Sequence, residues 1–204
     1  MTFYLTSGLL LGLAAGFSPG PLLALVVSET LRQGRAAGIR VAMAPLLTDL
    51  PILILVLFGL GALGEESPLL GGLSLLGGVL VFFLGLAGIS SRGAVLPGPR
   101  AEAHPLRKGI LVNAVSPHPY LFWMSVGGPL VIRAWGDGPG NAPLFVGGFY
   151  LLLVGSKVFL AFLTARLRNF LSGRAYRLIL RLLGLLLCLF GLRLVYEGLL
   201  FFSR

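Results

Sequence analysis

Apolar residues in this chain gather into runs of about 20, separated by short polar or glycine-rich stretches. A helix needs a run of about this length to cross the hydrocarbon core of a bilayer. The pattern predicts six spanning helices, at approximately residues 3–29, 36–61, 68–90, 109–132, 144–166 and 177–201. We therefore expect an all-α integral membrane protein, built as a single domain over residues 1–204.

Two of the predicted spans are interrupted by the same Ser-Pro-x-Pro motif, at residues 18–21 in span 1 and 116–119 in span 4. Each proline removes a backbone donor and clashes with the preceding turn. At membrane depth the freed carbonyl groups need partners, so irregular backbone normally lines protein or a wet cavity. One motif alone is compatible with a simple kink. Its repetition favours two broken helices that meet at a cavity.

Positive charge lies on one side of the predicted bundle. The first, third and fifth connections hold 12 of the 16 Lys and Arg residues, whereas the second and fourth hold Glu65, Glu66, Asp137 and a single basic residue, Arg133. Because cytoplasmic connections are enriched in Lys and Arg, this bias predicts a cytoplasmic-membrane protein with both termini outside. It also accounts for the net charge of +9 without a nucleic-acid partner.

Three spans in each half would place the halves, residues 1–91 and 108–204, in opposite orientations. Paired broken helices in inverted repeats are known from secondary transporters. The two breaks lie at different distances from the starts of their spans, however, so the sequence leaves an inverted 3+3 repeat open. Both breaks fall in the cytoplasmic half of the bilayer, which predicts a vestibule reached from the cytoplasm.

Composition supports the membrane location and excludes several functions. Hydrophobic residues make up 56% of the chain and charged residues 11%, against roughly 25% charged in soluble domains. The single cysteine, Cys188, excludes a thiol–disulfide carrier. The sequence has no phosphate loop, nucleophile elbow, dinucleotide motif or Cys/His metal set. We therefore expect no cofactor, no bound metal and no enzymatic activity.

Two ionisable residues lie near the middle of predicted spans, Asp49 in span 2 and Lys157 in span 5. Charges at this depth are costly, usually face the bundle interior and often mark a transport pathway. Asp49 could bind a substrate ammonium or carry a coupling proton, and the alternative is a structural carboxyl group. Lys157 is its natural ion-pair partner, and the alternative is a side chain that extends to the interface. An amphoteric amino acid could replace such a pair.

Polar groups at the breaks complete the candidate site. Ser18 and the N–H of Gly20 could bind a carboxylate at the positive end of the second half-helix. Asn113 could satisfy carbonyl groups freed by Pro117. His118 titrates near neutral pH if unperturbed and could relay protons, although a lone histidine in a break is more often a hydrogen-bond partner.

These motifs resemble the LysE-type amino-acid exporter family over nearly the whole chain. Residues 16–21 are similar to the family's Gly-x-Thr-Pro-Gly-Pro, Gly34 and Gly38 to its paired glycines, and residues 113–123 to its Asn-x-x-x-Pro-Lys-x-x-x-Phe stretch. The resemblance implies export of amino acids or related small metabolites, driven by the proton-motive force. Asp49 also resembles the branch that exports basic amino acids. Three departures, Ser18 for Thr, Leu22 for Asn and His118 for Lys, prevent the substrate from being inherited.

We therefore expect an exporter of amino acids or similar zwitterionic metabolites, coupled to proton antiport. The alternative is a cation or metal-ion exporter of a related six-span family, which would need oxygen ligands around Asp49. A membrane scaffold would not need buried charges. The sequence leaves a homo-oligomer, such as a dimer, open. The predicted proton-coupling residues are Asp49 and His118, and the predicted substrate-binding residues are Ser18, Pro19, Gly20, Pro21, Asp49, Asn113, Ser116, Pro117 and Lys157.

Overall fold

A computed structural model describes residues 2–58, 68–90, 104–168 and 173–203, and all regular structure in these ranges is helical. The helices are α1 Thr2–Phe17, α2 Pro21–Gln33, α3 Arg35–Ala42, α4 Ala44–Phe58, α5 Pro68–Ser90, α6 Pro105–Ala114, α7 Pro117–Phe122, α8 Gly128–Gly136, α9 Asn141–Arg168 and α10 Gly173–Ser203. A π-helical turn, Trp123–Gly127, joins α7 to α8. The prediction of an all-α membrane protein is confirmed.

The described residues contain three helical segments that are long and apolar enough to cross a membrane: Arg35–Phe58, Asn141–Leu167 and Arg181–Leu200. Helices α1 and α2 pass the same test together, bent by 63° at their break. The count of six spans stays a prediction. Residues 59–61 of predicted span 2, the acidic pair Glu65 and Glu66, and Arg92 and Arg100 lie outside the described residues.

Both predicted breaks are present. The first separates α1 from α2 at residues 18–20, and the second separates α6 from α7 at Val115 and Ser116. Each new helix begins with proline at its first position, where the missing N–H would have no helical acceptor in any case. The prolines therefore end one helix and start the next rather than kinking a continuous one.

The helices extend beyond several of the predicted bounds, and the predicted second span is divided into α3 and α4 by a turn at Met43. The fourth span begins at Pro105 and continues through α8 to Gly136, and the fifth begins at Asn141. Hydrophobicity marks where a helix lies in the bilayer, whereas the backbone hydrogen bonds of a helix continue into polar residues at its ends. The apolar pattern therefore underestimates helix length.

Glycines set how closely the long helices approach one another. Gly8 and Gly12 of α1 face the backbone of α9, where a Cβ would lie 2.2 Å from the carbonyl oxygens of Phe145 and Phe149, respectively. In the pair α5 and α10, a Cβ on Gly85 would lie 2.6 Å from the Gly184 carbonyl oxygen. Small residues allow such contacts in membrane bundles.

Two apolar cores lie on either side of the breaks. One gathers around Trp123, Phe145 and Phe149, and the other around Val26 and Val112. The first core joins α1, α4, α8 and α9, and the second joins α2, α3 and α6 to α5 and α10. The space left between the two cores contains the candidate site.

Candidate substrate cavity

A cavity of about 300 Å³ lies where the two helix breaks meet. Its apolar walls come from both cores and include Val112, Phe122, Phe149 and Leu153. The structure brings nearly all the predicted site residues to its lining, namely Ser18, Pro19, Gly20, Pro21, Asp49, Asn113, Ser116, His118 and Lys157. Pro117 does not line the cavity, because its ring is buried at the start of α7.

The first break presents backbone rather than side chains to the cavity. Gly20 precedes α2 in an extended conformation, and a Cβ at this position would meet no atom within 4 Å. No side chain caps α2, so the N–H groups of its first turn, at Leu22 and Leu23, lack a capping partner beside the cavity. The positive end of the α2 dipole therefore faces this space.

Lys157 is buried and is held by the end of α1. Its Nζ donates hydrogen bonds to the carbonyl oxygens of Gly16 at 2.9 Å and Ala15 at 3.2 Å. The break leaves such carbonyl groups without helical partners, and a cation also complements the negative end of the helix dipole. Because an ammonium group has three N–H donors, one remains for another partner.

Asp49 is also buried, but its contacts are separate from those of Lys157. Its Oδ1 accepts a hydrogen bond from Nδ2 of Asn113 at 2.6 Å and lies 3.2 Å from Oγ1 of Thr48. Asn113 Nδ2 is also 2.6 Å from the Thr48 hydroxyl oxygen. The indole N–H of Trp123 is a further donor close to this carboxylate, and among the described residues it has no other hydrogen-bond partner.

Two predictions about these polar contacts are wrong. Within the described ranges, Asp49 and Lys157 form no direct ion pair. Lys157 instead donates to α1 carbonyl groups and Asp49 accepts from the Asn113 amide, so the two charges interact only across the cavity. Asn113 does not satisfy the carbonyl groups at the second break. Tyr120 does this instead, since its hydroxyl donates to the carbonyl oxygen of Ala114 at 2.8 Å.

The sequence did not identify Tyr120, Thr48 or Phe149 as site residues. The usable signal for Tyr120 was a hydroxyl one turn beyond a broken helix end. The signal for Thr48 was its position directly before Asp49. Phe149 had no local signal, because its role depends on contact with Phe122, whose ring stacks on it at a centroid distance of 4.8 Å.

The remaining predicted residues lie at the edge of the cavity. Ser18, Pro19 and His118 are exposed and form its rim, whereas Ser116 is buried at the start of α7. Among the residues that the structure describes, no group of three or more His, Cys, Asp or Glu side chains could hold a metal ion. The charged lining thus consists of one carboxyl group and one amine, with His118 at the rim.

Comparison with known proteins gives one family and two relatives. A family model for LysE type translocators matches residues 13–198. Uncharacterized membrane protein YahN of Escherichia coli (strain K12) is 30% identical over 207 aligned residues, which cover 96% of this chain and 89% of that protein. Uncharacterized membrane protein PA4757 of Pseudomonas aeruginosa is 30% identical over 117 residues, covering 52% of this chain and 54% of that protein. No solved structure matches this chain.

Proposed function

This chain belongs to the LysE type translocator family, and on that premise we propose that it exports amino acids or similar small zwitterionic metabolites. Membership of this family identifies the protein as a membrane transporter with several spanning helices. The amino-acid substrate, the coupling to protons and the location in the cytoplasmic membrane with both termini outside belong to the proposal. The distribution of Lys and Arg supports this orientation.

One observation carries the substrate class: a carboxyl group and an amine line the same buried cavity without pairing with each other. Asp49 has neutral partners in Asn113 and Thr48, and Lys157 has neutral partners in two backbone carbonyl groups. Buried charges without a counter-ion are costly. A zwitterion supplies both missing counter-ions at once, which supports an α-amino acid or a molecule of similar charge.

The contacts suggest how such a substrate binds. Its ammonium group meets the Asp49 carboxylate, which lines the cavity. Its carboxylate meets the remaining N–H of Lys157 and the uncapped N–H groups at the start of α2, where the helix dipole favours an anion. The substrate side chain then lies against the apolar wall that includes Phe122 and Leu153.

Proton coupling is assigned to Asp49 and His118, the carboxyl group and the imidazole that line the cavity. Asp49 contacts the substrate ammonium in the binding scheme, so protonation would remove the charge that holds the substrate. His118 lies at the rim of the cavity, and its imidazole is a second group there that can carry a proton. This pair can therefore link substrate release to proton uptake.

Cation or metal export has no specific observation in its favour. It would need several oxygen ligands around Asp49. Asn113 instead presents its amide N–H to the carboxylate, which is the arrangement of a donor and not of a metal ligand. The surrounding walls are largely apolar.

Efflux from proteoliposomes tests the proposal. Purified protein is reconstituted with one of a panel of labelled amino acids inside, and efflux is followed with and without a pH gradient. We expect gradient-dependent efflux of a class of amino acids. Efflux by the Asp49→Asn variant should be slower by about tenfold or more, because the variant loses about one charge-assisted contact with the substrate. Asp137→Asn is the matched control, because Asp137 is exposed and bonds Tyr4 away from the cavity.

Three outcomes would overturn parts of the proposal. Absence of flux for every amino acid, with correctly folded protein, would exclude the proposed substrate class. Undiminished efflux by Asp49→Asn would keep the transporter and remove Asp49 from its pathway. An efflux rate that is the same with and without the pH gradient would exclude proton antiport.

A further inference from the structure

A buried ion pair joins the two broken helices outside the cavity. Glu29 of α2 is 1% exposed, and its Oε1 accepts a hydrogen bond from Nζ of Lys108 in α6 at 2.8 Å. The Gln33 side-chain amide donates to the other carboxylate oxygen. The pair therefore connects the second half of the first broken helix to the first half of the second one, 79 residues further along the chain.

The position of this pair relative to the cavity is specific. From α2 only the first turn, Pro21 to Leu23, lines the cavity, and from α6 only Val112 and Asn113. Beyond these residues Leu25 and Val26 are buried and belong to the same apolar core as Val112 of α6, so α2 and α6 are packed together on this side of the cavity. Glu29 and Lys108 lie further still from the cavity, near the arginine-rich helix ends that the charge bias assigns to the cytoplasm.

Neighbouring helices close the same side of the bundle. A Cβ on Gly109 of α6 would lie 2.9 Å from Cβ of Ala44 and 3.1 Å from the Val41 carbonyl oxygen. A Cβ on Gly38 of α3 would likewise meet the Thr30 hydroxyl of α2. A substrate can reach the cavity from this side only if α2 and α6 separate, and their separation must part Glu29 from Lys108.

The chemistry of the pair suits a contact that is made and broken. Burying a carboxylate costs several kcal/mol and is tolerated when a cation and further hydrogen bonds compensate it. The partner Lys108 keeps 30% of its side chain exposed, so water can solvate its ammonium when the helices part. The breaks at residues 18–20 and 115–116 interrupt the helical hydrogen bonds, so α2 and α6 can each tilt as a unit.

We propose that Glu29 and Lys108 form a latch that closes the cytoplasmic side of the cavity and separates when the cavity opens to the cytoplasm. The latch is distinct from the substrate contacts, and its place in a transport cycle rests on the proposed export function. The latch would determine from which side of the membrane a substrate has access to the cavity.

Accessibility of a single reporter thiol tests the latch without any substrate. Cys188 is replaced by serine and Val112, which lines the cavity at the end of α6, by cysteine. A membrane-impermeant thiol reagent is then applied from the cytoplasmic side of inverted vesicles. We expect the neutral double variant Glu29→Gln/Lys108→Gln to label faster than its parent by about tenfold, because no charge pair then favours the closed state.

Two further variants control for charge and position. The exchanged pair Glu29→Lys/Lys108→Glu should label at nearly the parent rate, since the attraction is restored with its ends reversed. Arg107→Gln should also label at the parent rate, because this exposed arginine is adjacent to Lys108 in sequence and is not part of the pair. Size-exclusion chromatography verifies folding. If the double variant does not fold, Lys108→Gln alone carries the test.

Equal labelling of the neutral variant and its parent would overturn the latch. So would an exchanged pair that labels as fast as the neutral variant, since the pairing would then not decide access. The labelling result does not depend on efflux, so failure of the latch and failure of the proposed substrate give different results. If the labelling results support the latch but no amino acid is transported, only the proposed substrate class is rejected.

Discussion

The Lys157 ammonium lies 2.9 Å from the carbonyl oxygen of Gly16, the residue before the last in α1. A second hydrogen bond of 3.2 Å reaches the carbonyl oxygen of Ala15. The middle of α9 thereby holds the end of α1 at the point where its helical hydrogen bonds stop. The same amine lines the cavity, so the broken helix and the candidate site depend on one side chain.

Replacing Lys157 by methionine should therefore weaken the fold as well as any transport. Methionine keeps the length of the side chain but leaves two carbonyl groups without a donor, and we expect the free energy of unfolding to fall by about 1–3 kcal/mol. Thermal unfolding in detergent measures the change. Arg166→Met, which removes an exposed cation from the same helix, is the control and should unfold like the wild type. A Lys157→Met protein with wild-type stability would contradict a supporting role.

Gly12→Ala should destabilise the contact between α1 and α9. The added Cβ would lie 2.2 Å from the carbonyl oxygen of Phe149, and backbone on both sides must move to relieve the clash. Overpacking of this kind costs about 1–3 kcal/mol. The matched control is Gly155→Ala on α9, where a Cβ meets no atom within 4 Å. If the two variants unfold at the same temperature, the close contact between α1 and α9 at Gly12 would be contradicted.

The breaks could be predicted from the sequence because they arise from local chemistry. Proline at positions 19, 21, 117 and 119 determines where a helix can end and begin whatever surrounds it. The burial of Asp49 and Lys157 near the cavity also followed from the cost of charge in a membrane. Their partners could not be predicted, because the opposite charge was the obvious choice and the carbonyl groups of α1 are exposed to Lys157 only by tertiary packing.

The contacts between distant segments required the structure. Glu29 and Lys108 are 79 residues apart, and nothing local links a glutamate near the end of one helix to a lysine near the start of another. The stacking of Phe122 on Phe149 is equally non-local. The hydrophobic pattern predicts the order of the helices along the chain. Which helices pack against each other depends on glycine-rich faces, and a glycine does not indicate which helix it contacts.

Tyr120→Phe should reveal how much the second break depends on a single hydrogen bond. The Tyr120 hydroxyl donates to the Ala114 carbonyl oxygen, the last residue of α6. Its removal leaves the ring in place and should cost about 1 kcal/mol in the free energy of unfolding. Tyr196→Phe is the control, because Tyr196 is 63% exposed. Equal stability of both variants would show that water replaces the tyrosine at no cost.

Phe122→Ala should change which substrates the cavity prefers. The Phe122 ring stacks on Phe149 with planes 12° apart, and both side chains line the cavity. Removing it enlarges the cavity where we propose that the substrate side chain lies. We expect bulky zwitterionic amino acids to gain efflux relative to small ones by about tenfold, which is the size of effect that a methylene or more produces in an apolar pocket.

The measurement for Phe122→Ala is the ratio of efflux rates for a large and a small amino acid, taken in the same proteoliposomes with two labels. A ratio cancels differences in the amount of active protein, so a partly destabilised variant still gives a usable result. Phe159→Ala, at a position that is 58% exposed on α9 and does not line the cavity, is the control. An unchanged ratio in Phe122→Ala would mean that this ring does not limit the space available to the substrate side chain.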